Sequence, residues 1–282
     1  MQKILGASVF IFTLIFVRFA IAQVSQSSDS FSHLNRPAPP QGTQMSPQAT
    51  AEAAKQRIEA DKKAGRVPDR KTFQMLLSAQ SQLKDESGMA DTLEELAADY
   101  NEPSDWTEII GITFGTPGLR DQDGIWLGRL LFVLGITVPP ADASTVGEIA
   151  SQHGFFGDAV NAKAHGAQLD SDPAPQADSD KKTMQDQIAQ EQAQDGAFNA
   201  KLAEALYGYG MYPEAEAAAK LAIQKGGNPD ASEASMVLGQ ALTAQGKYDE
   251  AVVAFGQVKG GGTVTPRIAR LWADYARIKK RG

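Results

Sequence analysis

The sequence predicts an all-α protein assembled from short helical hairpins, and three observations predict it. No stretch sustains the period-two alternation of a half-buried strand. Apolar residues recur instead at helical spacing: Val237, Leu238, Ala241 and Leu242; Tyr248, Ala251, Val252 and Phe255; Ile268, Leu271, Trp272 and Tyr275. A turn of the form Gly-x-aromatic-x-acid-Ala occurs three times, at Gly154–Ala159, Gly210–Ala215 and Gly246–Ala251.

The chain has 282 residues, enough for a sizeable core in one or two domains. Lys3, the apolar run 4–17, and Ala20-Ile21-Ala22 have the order of a secretory signal, with cleavage expected after Ala22. A run of fourteen residues is short of a membrane span. Cleavage takes the net charge from −7 to −9. Residues 23–47 are rich in Ser and Pro and read as a disordered polar arm. Residues 48–167 read as a divergent helical region, with helices expected over 73–83 and 89–100 and closed by Pro103. Residues 168–180, with four Asp and two Pro, read as an acidic linker. Residues 181–282 hold the clearest repeats and a final capping helix.

Each turn residue has a physical task. Gly154, Gly210 and Gly246 end a helix in the left-handed conformation. Phe156, Tyr212 and Tyr248 fill the space beneath the turn. The acid follows in the first turn of the next helix, where the dipole favours it. Ala159, Ala215 and Ala251 let the paired helices approach closely. The second and third copies are 36 residues apart; the first and second are 56 apart, the excess falling in the acidic segment.

Extended outward, the third copy reads Leu238-Gly239, Leu242, Ala251 and Phe255. This resembles the tetratricopeptide repeat, with its L-G-x2-Y and A-x3-F slots in about 34 residues. The second copy places Leu202-Ala203, Leu206, Ala215 and Ala219 in those slots. The first places Val146-Gly147, Ala150, Ala159 and an off-pattern Lys163. The order of Lys71–Leu77, Leu93–Leu96, Asn101–Trp106, Gly208–Tyr212 and Arg270–Ala276 resembles a family of proteobacterial secreted tetratricopeptide repeat proteins, over about residues 68–282. The resemblance implies a right-handed superhelical solenoid with a concave binding face, in a periplasmic protein.

In that register the concave positions are Ser144, Glu148 and Ser151; Ala200, Glu204 and Tyr207; and Met236, Gln240 and Thr243. Glu204 and Tyr207 are expected to be partly exposed there. Chaperone-binding members of the family hold a partner's terminal carboxylate with Lys and Asn. Glu148, Glu204 and Gln240 depart from that, so the resemblance implies a protein or peptide partner with a neutral or basic segment. The final helix carries Arg267, Arg270, Arg277, Lys279, Lys280 and Arg281 and reads as a capping helix, with contact to anionic lipid as the lesser alternative. Trp106 and Trp126 are expected in the core, with Arg129 exposed or snorkelling.

Several classes are excluded. With no cysteine there is no disulfide, thiolate metal site or catalytic thiol. Three histidines do not make a His-rich metal centre. An acidic chain without a basic block argues against nucleic acid. His-Glu-x-x-His, Gly-x-Ser-x-Gly, Walker and dinucleotide motifs are absent, so no catalytic, cofactor or metal residue is assigned. The expectation is a non-enzymatic adaptor or scaffold serving envelope assembly, with a spacer subunit as the alternative and an enzyme on a repeat scaffold behind both.

Overall fold

The computed structural model describes residues 45–227 and 231–282, so the expected signal and most of the polar arm lie outside the described residues. Ser46 and Pro47, at the end of that expected arm, already belong to a helix start: the Ser46 hydroxyl accepts from Ala49 N, and Pro47 sits in the first turn.

The described residues form thirteen helices and no strand. In order these are α1 (Pro47–Lys63), α2 (Arg70–Leu83), α3 (Glu86–Tyr100), α4 (Pro103–Phe114), α5 (Asp121–Val133), α6 (Pro140–Gln152) and α7 (Phe156–Ala164). There follow α8 (Ala174–Gln190), α9 (Gly196–Gly208), α10 (Tyr212–Lys225), α11 (Ala231–Ala244), α12 (Tyr248–Phe255) and α13 (Thr265–Arg281). None is long and apolar enough to cross a membrane.

The three sequence turns have one geometry. Gly154, Gly210 and Gly246 have φ of 76°, 75° and 75°. The next N–H reaches back five residues each time: Phe155 N to Ala150 O, 2.8 Å; Met211 N to Leu206 O and Lys247 N to Leu242 O, both 2.9 Å. Phe155, Met211 and Lys247 then share φ near −85° and ψ near 60°, and the next helix begins at once. Ala159, Ala215 and Ala251 are fully buried. The aromatic side chains Phe156, Tyr212 and Tyr248 are half-buried.

A fourth turn of this kind joins α2 to α3. Asp85 N bonds to Gln80 O at 2.9 Å, and Lys84 takes the left-handed place of the glycine with φ 55°. Lysine there is strained, which is why the residue pattern hides this copy.

Helices paired by these turns pack together, α6 on α7, α9 on α10 and α11 on α12, while α10 also packs on α11 and α9 on α11. The expected linker at 168–180 is shorter than its composition suggests. Asp172 Oδ1 accepts from Ala174 N at 3.2 Å, and Pro175 lies in the first turn of α8. The Asp-Pro chemistry read as a break is a helix start. Helix α8 packs on α7 and α9, and α13 packs on α12, α11, α3 and α5.

Candidate functional site

The residues expected to line an open face are in the interior. Glu204, Met236, Gln240 and Ala200 have 0% exposure, and Tyr207 and Thr243 have 7%. Only the first copy keeps an open face: Glu148 is exposed, and Ser144 and Ser151 are half-buried. Both serines are engaged, Ser144 donating to Pro140 O and accepting from Gln168 N, and Ser151 donating to Gly147 O. Spacing within α9 and α11 does not show the helix that covers these residues.

The cover is α5. Its Trp126 and Arg129 reach onto the inner face of α9 and α11, and Arg129 is 2% exposed rather than snorkelling. Each of the five guanidinium N–H groups has an acceptor. Nε donates to Asp158 Oδ1 at 2.8 Å and Nη2 to Asp158 Oδ2 at 2.7 Å. Nη2 also reaches Glu204 O at 3.1 Å. Nη1 donates to Glu204 Oε2 at 2.5 Å and Gln240 Oε1 at 2.9 Å. The Tyr207 ring lies 4.4 Å from the guanidinium carbon, a cation–π contact. The other Glu204 oxygen accepts from Trp126 Nε1 at 2.8 Å. Trp272 Nε1 of α13 donates to the Trp126 carbonyl at 3.0 Å.

Four helices, α5, α7, α9 and α11, thus close on one cation. Burial pulls the Arg129 pKa down, but Asp158 and Glu204 outweigh it and hold the guanidinium above the ordinary arginine range. Burial pushes the Glu204 carboxyl up to about 7, against the pull of Arg129 and the Trp126 hydrogen bond, with the Glu233 charge adding to the rise. Burial likewise raises the Tyr207 phenol. Gln240 Nε2 has no partner among the described residues. Chemically the cluster is a clasp: the Arg129 donors and the Asp158 and Glu204 carboxylate oxygens are spent within it, and it is closed to solvent.

A second polar knot holds the start of α5. Asp123, fully buried, accepts from Arg120 and from the Thr265 hydroxyl at 2.6 Å, tying α5 to the first residue of α13.

The basic C-terminal helix also spends its charge internally. Arg267 pairs with Asp91 and Glu94, and Arg270 forks onto Glu94 at 2.5 and 2.8 Å. Lys280 pairs with Asp249, Arg277 with Asp274, and Arg281 donates to Ala98 O. Four of the six cations are thus paired, through α3, α12 and Asp274 of α13 itself, which weakens the anionic-lipid alternative; Lys279 has no ion pair among the described residues. No group of three or more His, Cys, Asp or Glu side chains among the described residues could hold a metal ion.

A scan against family models finds none that matches the chain, and no curated protein matches it.

Proposed function

We propose that the chain is a non-enzymatic, exported, tetratricopeptide-like scaffold that binds a protein or peptide in the cell envelope. The observation that carries this reading is the recurrence of one turn, with a left-handed residue and the same five-residue hydrogen bond, at Lys84, Gly154, Gly210 and Gly246. Stacked helical hairpins have few interior cavities but long outer surfaces, which suits holding partners. The burial of Glu204 and Gln240 removes the ground for preferring a basic partner, and binding is assigned to the outer surface.

Photo-crosslinking residues placed at exposed Val253, Glu148 and Lys55 in living cells test this. The reading expects a discrete adduct with one envelope protein from at least one site. A chain that is present and folded in the periplasm but forms no adduct from any of them contradicts it.

A further inference from the structure

Beside the closed inner face, one open feature combines an apolar floor with a buried polar group. A cleft of about 500 Å³ lies between α1 and α3, with α2 as its floor. Ile58 and Leu76, both buried, supply apolar surface. Gln80, 1% exposed, lies between them and Gly88. Its Oε1 is 3.0 Å from the Thr92 hydroxyl, which also bonds to Gly88 O. Its amide nitrogen lies 2.7 Å from where a Cβ on residue 88 would stand and bonds to no group among the described residues. A Cβ there would meet Asp85 Oδ2 first, so glycine at 88 leaves room for both the Asp85 cap and the carboxamide end, and Gln80 lines the cleft. A buried carboxamide with a spare end suits a peptide group, which carries donor and acceptor together.

The charges on the rim are unequal in their commitments. Glu95 pairs with Lys62 at 2.7 Å, Glu59 with Lys63 at 2.8 Å, and Asp91 with Arg267. Each acid on the rim therefore already has a cation. Lys55, on the same rim and exposed, has no ion pair among the described residues. The uncommitted charge of the cleft is positive.

We infer that this cleft is a docking site for a short acidic, leucine-containing segment of a partner polypeptide. An apolar side chain enters against Ile58 and Leu76, a peptide group meets the Gln80 carboxamide, and a carboxylate meets Lys55. The inference rests on the scaffold reading above and gives it a site and a partner chemistry.

The test uses the full chain and three blocked pentapeptides, acetyl-Xaa-Leu-Ala-Leu-Xaa-amide with Xaa as Glu, Gln or Lys. Affinity is read by calorimetry, and location by the amide shifts of Gly88 and Thr92. The Glu peptide is expected to bind tightest, by about threefold over Gln and more over Lys, the scale of an exposed ion pair. Lys55→Glu, a surface change, is expected to reverse that order. Gln80→Leu is expected to weaken all three peptides by about fivefold, the scale of one hydrogen bond, and Glu148→Lys on α6 to change nothing. Absence of binding by the Glu peptide, equal affinity for all three, or an order that Lys55→Glu does not move overturns the inference. If the peptides fail while adducts still form in cells from Glu148 or Val253, the cleft is refuted and the scaffold reading stands.

Discussion

Arg129 and Asp158 meet through two parallel hydrogen bonds of 2.8 and 2.7 Å, with both side chains almost wholly removed from solvent. A fork of this kind is both strong and directional. It joins α5 to the helix after the first repeat turn, and Glu204 and Gln240 join the same cation to the second and third repeats. Removing one partner leaves an uncompensated buried charge. Arg129→Met and Asp158→Asn should each destabilise by about 3–5 kcal/mol in urea unfolding. Replacing Arg129, Asp158 and Glu204 together by apolar residues of similar size should cost less than Arg129→Met alone. If it costs more, the charges themselves contribute net stability.

The pH profile should have its maximum in mildly acidic solution. Glu204 titrates near 4.5 when unperturbed and at about 7 in the fold, so between those values the native state binds the extra proton. Stability therefore falls as pH rises from about 4.5 to 7, by up to about 3 kcal/mol from this group. Burial raises Asp99, Glu108, Asp142 and Asp274 as well, with the same sign. Glu216 has the opposite sign: burial would raise it, but hydrogen bonds from Lys220, Lys247 and Gln245 hold it down at about 2. Its contribution is present above pH 4.5 and is lost as pH falls toward 2. Urea midpoints measured from pH 3 to 8 should show both limbs. Glu204→Gln should flatten the upper one, and an upper limb unchanged by that substitution would sink this assignment.

The repeat turns should respond alike to one substitution. Gly154→Ala, Gly210→Ala and Gly246→Ala each force a side chain into φ near 75°, and no heavy atom lies within 4 Å of the added Cβ. With no clash, the cost is the backbone term, about 1–2 kcal/mol at each site. Lys84→Gly should stabilise by about 1 kcal/mol, because the same turn already carries that strain. Unequal costs at the three glycines, or a destabilising Lys84→Gly, would show that the four turns are not equivalent.

Close helix pairing within the third copy depends on two small residues. A Cβ on Gly239 would stand 2.5 Å from Phe255 Cε1, and Ala251 is fully buried. Gly239→Ala and Ala251→Leu should each cost about 1–3 kcal/mol through overpacking. Thermal melts of both variants check this, and an unchanged melting temperature in either would contradict the packing described.

Local chemistry was legible in the residues, and long-range chemistry was not. Gly210 and Gly246 announce their turns because only a left-handed position asks for glycine followed by an aromatic, an acid and Ala. Lys84 makes the same turn without that signature. Pro173 and Pro175 read as a loop because proline breaks a helix interior, yet it equally opens one. The tetratricopeptide resemblance is what puts Glu204 and Gln240 on an inner face. Nothing local to α5 says that Arg129 meets partners 75 and 111 residues further on. One signal was present: a lone Arg inside the apolar run 125–133, with Glu204 on the side of α9 that also carries Ala200 and Tyr207. A cation and an acid that are both out of pattern on buried stripes are candidates to pair.

Helix α5 covers Glu204 of α9 and Gln240 of α11 through Arg129 and Trp126. The indole N–H of Trp126, bonded to Glu204 and fully buried, reports on it directly. Hydrogen exchange followed by NMR at that proton should be as slow as the most protected backbone amides, opening only with global unfolding, and Glu204→Gln should shift its resonance. Exchange at the rate of a solvent-exposed indole, with the fold otherwise intact, would mean that the face is open and that the clasp does not exist.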